Sequence, residues 1–244
     1  MTIKIIETFC TIVMVFIVLG VHELGHLITG LKLGFRFELF VVGPLGIKKN
    51  HDKIRVYLNK NVAHYGGLAA TLPTEDKPDN IKKLAIICLA GPIASIVFAV
   101  ILAALYLTTE FQFSKVLLVG ALASLGIFLV TTIPNKTGMF FTDRKRYERL
   151  TKNGPERSVE LALLRILGNY AKDNSYVNIN EDDIELLISD EHYKFFGLFT
   201  KLTYQFEKEG NYNLDTKEQY DSLSELMPKS MVKAMNMQLV KLRK

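Results

Sequence analysis

Three ionisable residues interrupt an otherwise uncharged stretch near the start of the chain. They are His22, Glu23 and His26, and they lie within residues 8–31, TFCTIVMVFIVLGVHELGHLITGL. Residues four apart in a helix share one face about one turn from each other, so both imidazoles can bind one metal ion. Glu23 can hold a water on that ion without being a ligand. The pattern His-Glu-x-x-His is typical of zinc hydrolases, in which the metal acts as a Lewis acid and the carboxylate as general base.

Packing offers a simpler explanation of the same three residues. Two satisfied histidines and an interhelical hydrogen bond would give the same spacing. An ionisable group in a membrane span, however, costs on the order of several kcal/mol unless it is paired, bound to metal or facing a cavity. Three such groups within about one turn therefore favour a metal site over packing.

Three long apolar stretches must position these groups. Apart from His22, Glu23 and His26, residues 8–31, 84–109 and 116–135 are uncharged, and each stretch is long enough to cross a hydrocarbon core as a helix. We predict three transmembrane helices. Cys10 and Cys88 fall in different spans, which predicts buried free thiols and no disulfide.

Charge is distributed unevenly along the 244 residues. Thirty Lys and Arg against 25 Asp and Glu give a formal net charge of +5, and the charged residues dominate after position 135. The two parts of the chain therefore need different solvents. Two Cys and plentiful Phe, Leu and Ile exclude a disulfide scaffold, a disordered chain and a collagen-like fibre.

Basic residues predict the orientation of the spans. Ten Lys and Arg lie between positions 32 and 83, one lies in the short link TTEFQFSK, and RKRYER follows the third span. Cytoplasmic loops carry the excess of basic residues, so we expect the long loop and the C-terminal part in the cytoplasm and the N-terminus outside. The basic balance then reflects topology and anionic lipid, and we predict no nucleic-acid partner.

The loop between the first two spans is predicted to contain β-structure over about 35–75. FRFELFVV and KIRVYLNKNV are rich in β-branched and aromatic residues, and the turn-forming stretch GPLGIKKNHD separates them. This pattern favours a hairpin or small sheet at the membrane surface. Gly66 and Gly67 mark a turn or a close approach of another chain.

The remainder of the chain has a soluble, helical pattern. Two stripes at i, i+3, i+4 and i+7 and a shorter stripe between them predict amphipathic helices: Leu163, Ile166, Leu167 and Tyr170; Phe195, Leu198, Phe199 and Leu202; Ile184, Leu187 and Ile188. Pro155 and Pro228 are placed to open helices and Gly210 to close one. We predict a membrane-embedded core over 1–150 and a cytoplasmic domain of four or five short helices over 151–244.

A third metal ligand is expected, because a catalytic zinc usually has three protein ligands and one open position. Asp143 is the first carboxylate after the third span. Pro134 ends that span and Gly138 permits a turn, so the chain could fold back and present Asp143 to the histidines. Alternatively, Thr142 and Asp143 form the N-cap and first turn of a helix. Residue spacing leaves both interpretations open.

Three motifs in order resemble the site-2 protease family of intramembrane zinc metalloproteases, peptidase family M50. They are HELGH in the first span, AGPIAS in the second and IPNKTGMFFTD after the third, and they cover roughly residues 10–150. The resemblance implies a mainly α polytopic membrane protein with a three-helix catalytic core, and Zn²⁺ held by His22, His26 and Asp143 with Glu23 as base. It also implies substrate contacts by Gly91 and Ser95, which match a small-residue motif, and by Gly66 and Gly67, which match a membrane-associated strand that pairs with unwound substrate.

Two positions depart from the family's pattern. Arg144 follows Asp143 where the family commonly has glycine, and Thr131 stands where it has asparagine. The first departure affects the turn at the ligand, and the second removes an amide that would help to hold substrate. Neither removes a proposed metal ligand. The other histidines, His51, His64 and His192, are predicted to be solvated.

The leading functional hypothesis is an intramembrane zinc endopeptidase of a bacterial cytoplasmic membrane. It would cut a membrane-spanning or membrane-inserted peptide near the cytoplasmic face, in regulated intramembrane proteolysis or small-peptide processing. One alternative is a membrane zincin of the prenyl-protein endopeptidase type, whose third ligand is normally a Glu. The other is a catalytically inactive membrane adaptor whose C-terminal domain recruits a soluble partner.

Overall fold

The computed structural model of the chain describes residues 2–50, 53–110, 114–137 and 140–242. It divides into two compact units. Residues 1–72 and 82–151 form the first, which we call the membrane unit, and residues 73–81 and 152–244 form the second, the C-terminal unit. A short segment that precedes the second apolar stretch thus packs with residues much later in the chain.

The elements of the membrane unit alternate between long helices and short strands. In chain order they are α1 (Thr2–Lys32), β1 (Arg36–Val42), β2 (Leu45–Asn50), β3 (Lys53–Leu58), β4 (Leu68–Leu72), α2 (Asn80–Thr108), α3 (Ser114–Thr132), β5 (Lys136–Thr137), β6 (Phe140–Phe141) and α4 (Asp143–Thr151). A single 3-10 turn, Val62–His64, lies between β3 and β4.

Within the described residues, three helices are long and apolar enough to cross a membrane: α1, α2 and α3. They coincide with the three predicted spans. The third helix ends at Thr132, earlier than predicted, because the residue before a proline is disfavoured in the helical conformation and Pro134 follows Ile133. The chain is therefore an integral membrane protein.

The three spanning helices meet along a small buried cluster. Val18 of α1, Leu102 of α2 and Ala121 of α3 are its buried members. At Gly25 of α1 an added Cβ would lie 2.6 Å from the carbonyl oxygen of Ala90 on α2. Since lipid chains are as apolar as these side chains, close packing through small residues holds the helices together.

The loop after α1 folds into a four-stranded antiparallel sheet with the order β3-β2-β1-β4. The small sheet was predicted, but the prediction that residues 43–52 form a turn is wrong. Leu45–Asn50 is the strand β2, and it pairs with both β1 and β3. Gly43, with φ of 54°, and Pro44 make a two-residue turn between the paired Val42 and Leu45, so the residues after it are free to extend. The second turn falls at residues 51–52, outside the described residues.

After α3 the chain reverses direction within the membrane unit through a hairpin of two very short strands. Strand β5 pairs with β6 through Lys136 opposite Phe141 and Thr137 opposite Phe140. The turn predicted at Gly138 lies outside the described residues. Helix α4 follows immediately and begins at Asp143.

The C-terminal unit is helical over its described part. Its helices are α5 (Pro155–Asp173), α6 (Glu181–Ser189), α7 (Lys194–Glu209), α8 (Leu214–Ser224) and α9 (Lys229–Leu242). Residues of all three predicted stripes are buried in one apolar core or packed against it. Pro155 opens α5, and Gly210, with φ of 75°, ends α7 in the left-handed conformation. These helix boundaries agree with the predictions.

Candidate metal centre

Helix α1 presents two imidazoles to one point inside the membrane unit. The Nε2 atoms of His22 and His26 are 3.3 Å apart, as expected for residues one turn apart on one face. His22 is buried, and the side chain of His26 is only 13% exposed. Both rings thus lie away from bulk water.

Asp143, which follows α3 in the chain, completes the cluster. Its Oδ2 lies 3.2 Å from Nε2 of His22, and its Oδ1 lies 3.3 Å from Nε2 of His26. One ligand atom from each of the three residues falls within 4.8 Å of the others. Asp143 is also the first residue of α4, so both interpretations of this position hold: it begins a helix and it faces the histidines.

A hydroxyl clamp places the start of α4. The Oγ1 of Thr142 donates to the carbonyl of Ile133 at 2.9 Å and accepts from the N–H of Asn135 at 3.0 Å. The N–H of Thr142 also donates to the carbonyl of Asn135 at 3.0 Å. These bonds tie the residue before Asp143 to the end of α3 and so fix the point at which the carboxylate enters the site.

Helix α2 holds the far sides of both imidazoles. Nδ1 of His26 donates to the carbonyl of Ile87 at 2.6 Å, and Nδ1 of His22 lies 2.9 Å from the hydroxyl of Ser95. A hydrogen bond at Nδ1 orients the ring and leaves the lone pair on Nε2. The hydroxyl of Ser124 on α3 in turn donates to the backbone carbonyl of Ser95 at 2.8 Å.

Gly91 gives the ring of His26 the space that it occupies. A Cβ added at Gly91 would lie 2.2 Å from Nε2 of that ring, far inside contact distance. Any larger residue at this position would displace the imidazole. Substrate contact by Gly91 and Ser95 stays a prediction, and the contacts described here support the metal-facing histidines.

The three residues fit a zinc ion. Two ligands each about 2.0–2.1 Å from a tetrahedral zinc are about 3.4 Å apart, close to the three separations of 3.2–3.3 Å. Among the described residues, Oδ2 of Asp143 is buried without a hydrogen-bond donor. Two imidazole lone pairs and a buried carboxylate oxygen that converge in this way match the donor set of a divalent cation.

The charge of Asp143 agrees with a ligand role. Burial raises its pKa, but hydrogen bonds and positive charge from His22 and His26, when their imidazoles are protonated, outweigh burial and lower the pKa to about 2. The carboxylate is therefore ionised at neutral pH, as a metal ligand must be.

Glu23 lies beside the cluster and is oriented by strand β4. Its carboxylate accepts a hydrogen bond from the backbone N–H of Ala69. Gly67, which precedes the strand with φ of 102°, packs directly on it, since an added Cβ would lie 2.7 Å from Oε1. A side chain at Gly67 would be strained and would also displace the carboxylate.

Within the described part of the chain no strand pairs with β4 on its side away from β1, which we call the open edge, although helix α1 with Glu23 lies against it. Strand β4 is the last strand of the sheet and pairs there with β1. The N–H of Ala69 bonds to Glu23, so it points away from β1 and towards this open edge. Gly66 and Gly67 immediately precede β4 and are not part of the strand.

The remaining singled-out residues lie outside the cluster. His64 has its Nε2 3.2 Å from the amide of Asn61, and His192 lies in the C-terminal unit; His51 is outside the described residues. Arg144 points its Nε at Glu148, 3.3 Å away along α4. Thr131 places its hydroxyl 3.4 Å from the carbonyl of Phe128, within its own helix.

Sequence reasoning missed several residues that hold the site. Ile87 and Ala69 act through backbone atoms, which leave no signal in the residue type. Thr142 was considered only as a helix cap, although its bonds to Ile133 and Asn135 place the third carboxylate. The short distance from Pro134 to Thr142 is the one signal that could have suggested this clamp.

Comparison with known proteins agrees with the geometry. The model of peptidase family M50 matches residues 10–241, nearly the whole chain. Neither the curated proteins nor the solved structures gave a match. The three spanning helices, the His-Glu-x-x-His turn and the converging Asp143 lie within the matched range. The chain therefore belongs to peptidase family M50, the site-2 protease family of membrane zinc metalloproteases.

Proposed function

We propose that the protein is an intramembrane zinc endopeptidase that cuts a membrane-spanning or membrane-inserted peptide. The observation that carries the proposal is the convergence of His22, His26 and Asp143 within 4.8 Å, with Glu23 beside them, among apolar helices. His22, His26 and Asp143 would hold the metal. When bound, zinc supplies a Lewis acid that polarises a carbonyl and lowers the pKa of a coordinated water.

The protein's own groups would carry the proton. Glu23 is next to His22 in the chain and is held by the N–H of Ala69, so one carboxylate oxygen is free to accept a proton from the attacking water. The same carboxylate would then give that proton to the nitrogen of the leaving amine. The hydrogen bonds at Nδ1 of His22 and His26 keep both rings fixed during these steps.

The open edge of β4 suggests how a substrate would be held. A spanning helix has its amides bonded internally and must unwind before attack, and a strand edge offers replacement bonds. A peptide paired along β4 would run beside Glu23, whose carboxylate takes the N–H of Ala69 on that edge. Pairing at Ala69 itself would require the carboxylate to release that N–H. Substrate contacts by Gly66, Gly67, Gly91 and Ser95 belong to this part of the proposal.

The basic loop and C-terminal unit support an orientation with cleavage near the cytoplasmic face. The ten Lys and Arg between positions 32 and 83 flank the helix ends nearest the site. We place the protein in a bacterial cytoplasmic membrane, with regulated intramembrane proteolysis or small-peptide processing as its work. The C-terminal unit would meet any soluble partner on the same side.

The test is the zinc content of the detergent-purified full chain. We expect near-stoichiometric zinc in the wild type and in Glu23→Gln, and its loss in His22→Ala and in Asp143→Ala. His64→Ala is the matched control, because it removes a histidine outside the cluster. Folded wild-type protein without zinc after metal supplementation would overturn the proposal.

The two alternatives give different results in the same series. A zincin of the prenyl-protein endopeptidase type would keep its zinc in Asp143→Ala. An inactive adaptor would fail to cleave reconstituted single-span reporter peptides with helix-weakening residues near their cytoplasmic end. Cleavage by the wild type and by His64→Ala, but not by Glu23→Gln, supports the proposed endopeptidase.

A further inference from the structure

The segment between β4 and α2 belongs to the C-terminal unit, although both of its ends continue into the membrane unit. Residues 73–81, which we call the strap, cluster with residues 152–244. Strand β4 ends at Leu72 and α2 begins at Asn80. The strap therefore belongs to the C-terminal unit, and it joins two elements of the membrane unit, β4 and α2, along the chain.

Gly168 of α5 packs directly against the backbone of the strap. A Cβ added there would lie 2.8 Å from the carbonyl carbon of Glu75 and 2.8 Å from the backbone nitrogen of Asp76. These are backbone atoms and cannot rotate away, so a side chain at 168 would have to displace the strap itself. Arg165, one turn earlier on α5, attracts the charge of Asp76. Both residues thus hold one part of the strap.

Asn80 closes the strap at its other end. Its side chain is buried, and its Nδ2 donates to the carbonyl of Glu75 at 2.8 Å. Its backbone N–H donates to the carbonyl of Lys77 at 3.0 Å. The residue that Gly168 contacts is therefore bonded to the first residue of α2. A displacement at Glu75 would move the start of that helix, because a buried amide without its partner costs about 1–3 kcal/mol.

Both elements that leave the strap act directly on the proposed active site. The N–H of Ala69 in β4 orients the carboxylate of Glu23. In α2, the carbonyl of Ile87 accepts from His26, and Ser95 contacts His22. The two elements that contact the proposed base and two proposed ligands, β4 and α2, are thus both joined to the strap.

We infer that the C-terminal unit sets the positions of β4 and α2 through the strap, and that Gly168 is a positioning residue for the proposed peptidase. The inference rests on the proposed function. A ligand or protein that changes α5 would then change cleavage without approaching the metal centre. This gives the C-terminal unit a regulatory role that acts on the geometry of the site.

The test is Gly168→Ala in the full chain, with Gly197→Ala as the matched control. A Cβ at Gly197 would lie 2.8 Å from the backbone nitrogen of Ile188, so it strains the C-terminal unit to a similar degree at a point that is not in contact with the strap. Hydrogen exchange of the detergent-solubilised protein reports the amides of 68–72 and 84–91. We expect Gly168→Ala to accelerate exchange there by about tenfold or more, and Gly197→Ala to leave it unchanged.

A second variant guards against a misfolded first one. Asn80→Ala removes the bond to Glu75 without adding volume, and we expect it to accelerate exchange of the same amides. On the single-span reporter peptides, Gly168→Ala should lower kcat by about tenfold or more with KM little changed, since small misplacements of catalytic groups are costly. A purely structural role would lower the amount of folded enzyme but not the kcat of the folded fraction.

The outcomes separate this inference from the proposed function. Unchanged exchange in 68–72 and 84–91 for both Gly168→Ala and Asn80→Ala would overturn the inference. An equal change in Gly197→Ala would overturn it as well. The exchange measurement needs neither zinc nor substrate, so a wild type without zinc would overturn the proposed function while the coupling was still measured.

Discussion

The membrane unit and the C-terminal unit differ in where most of their large apolar side chains lie. In the membrane unit, Ser95 and Ser124 are fully buried, whereas Leu122 and Val130 on α3 are 60% and 66% exposed. In the C-terminal unit, Leu202 is fully buried within a large apolar core. The outer surface of the first unit suits lipid, whereas the second unit gathers its apolar side chains in a core of its own.

This difference implies that the two units are stabilised by different interactions. We expect burial of apolar surface to stabilise the C-terminal unit, with water as the alternative solvent for those side chains. In lipid that driving force between helices is missing, and packing of small residues with interhelical hydrogen bonds takes its place. Polar groups inside the membrane unit can therefore form a metal site without being the main source of stability. Substitutions in the two units test this distinction between site and stability.

Glu23→Gln should give the largest change, in activity alone. We expect cleavage of the single-span reporter to fall about 10²–10⁴-fold, the usual contribution of a general base, while zinc content and unfolding are unchanged. Glu38→Gln removes the same charge from a surface pair with Arg36 on β1 and should leave cleavage unchanged. A marked loss of stability in Glu23→Gln would break the distinction between site and stability, because the residue would then be structural.

Leu202→Ala and Leu122→Ala should sharpen the contrast in stability. The first removes a fully buried side chain from the core of the C-terminal unit and should lower its free energy of unfolding by about 2–5 kcal/mol. The second removes a lipid-facing side chain of α3 and should cost less than about 1 kcal/mol, since lipid surrounds the position in either case. Chemical denaturation followed by far-UV circular dichroism measures both. Equal losses would contradict the assignment of different solvents to the units.

Ser95→Ala should weaken zinc binding without loosening the helices. The hydroxyl contacts Nδ1 of His22, and loss of such an outer contact typically raises the dissociation constant of the metal about 10–100-fold. Ser124→Ala, which removes a bond to the backbone carbonyl of Ser95, should have a smaller effect. Competition with a chelator measures both constants. Unchanged zinc affinity with slower cleavage would instead support the predicted contact of Ser95 with substrate.

Asp183→Asn should change stability alone, with an effect confined to the C-terminal unit. Asp183 is buried and accepts from both Nε and Nη2 of Arg165, with 2.8 Å at Nε. We expect a loss of about 1.5–3 kcal/mol, the range for a hydrogen bond to a charged group. Asp221→Asn, in the exposed pair with Lys217, should cost less than about 1 kcal/mol. A change of zinc content in Asp183→Asn would show that this charge pair is not purely structural.

Features set by local pattern were predictable from the sequence. The spans follow from length and hydropathy, and the pairing of His22 with His26 follows from one helical turn. Asp143 was left between two interpretations because its neighbours are those of a helix cap, and both interpretations hold at once. The strand β2 was missed, since two glycines, a proline and two lysines resemble a turn while tertiary pairing on both sides extends the chain.

Features set by distant contacts were beyond the reach of the sequence. The carbonyl of Ile87 on His26 and the N–H of Ala69 on Glu23 are backbone contacts that any residue type could make. The packing of Glu75 against Gly168 joins residues far apart in the chain. No periodicity reports such a pairing, because it depends on how whole elements fold together.

The position of the strap in the chain implies an order of assembly. Residues 73–81 leave the ribosome long before Gly168 and the rest of the helices on which they pack. During synthesis the spans could enter the membrane before the strap had the C-terminal helices to pack on. At that stage β4 and α2 would lack the contacts that we infer to position them. The nascent chain would thus carry an unfinished site until its last third was made and folded, which would delay cleavage until the whole protein was present.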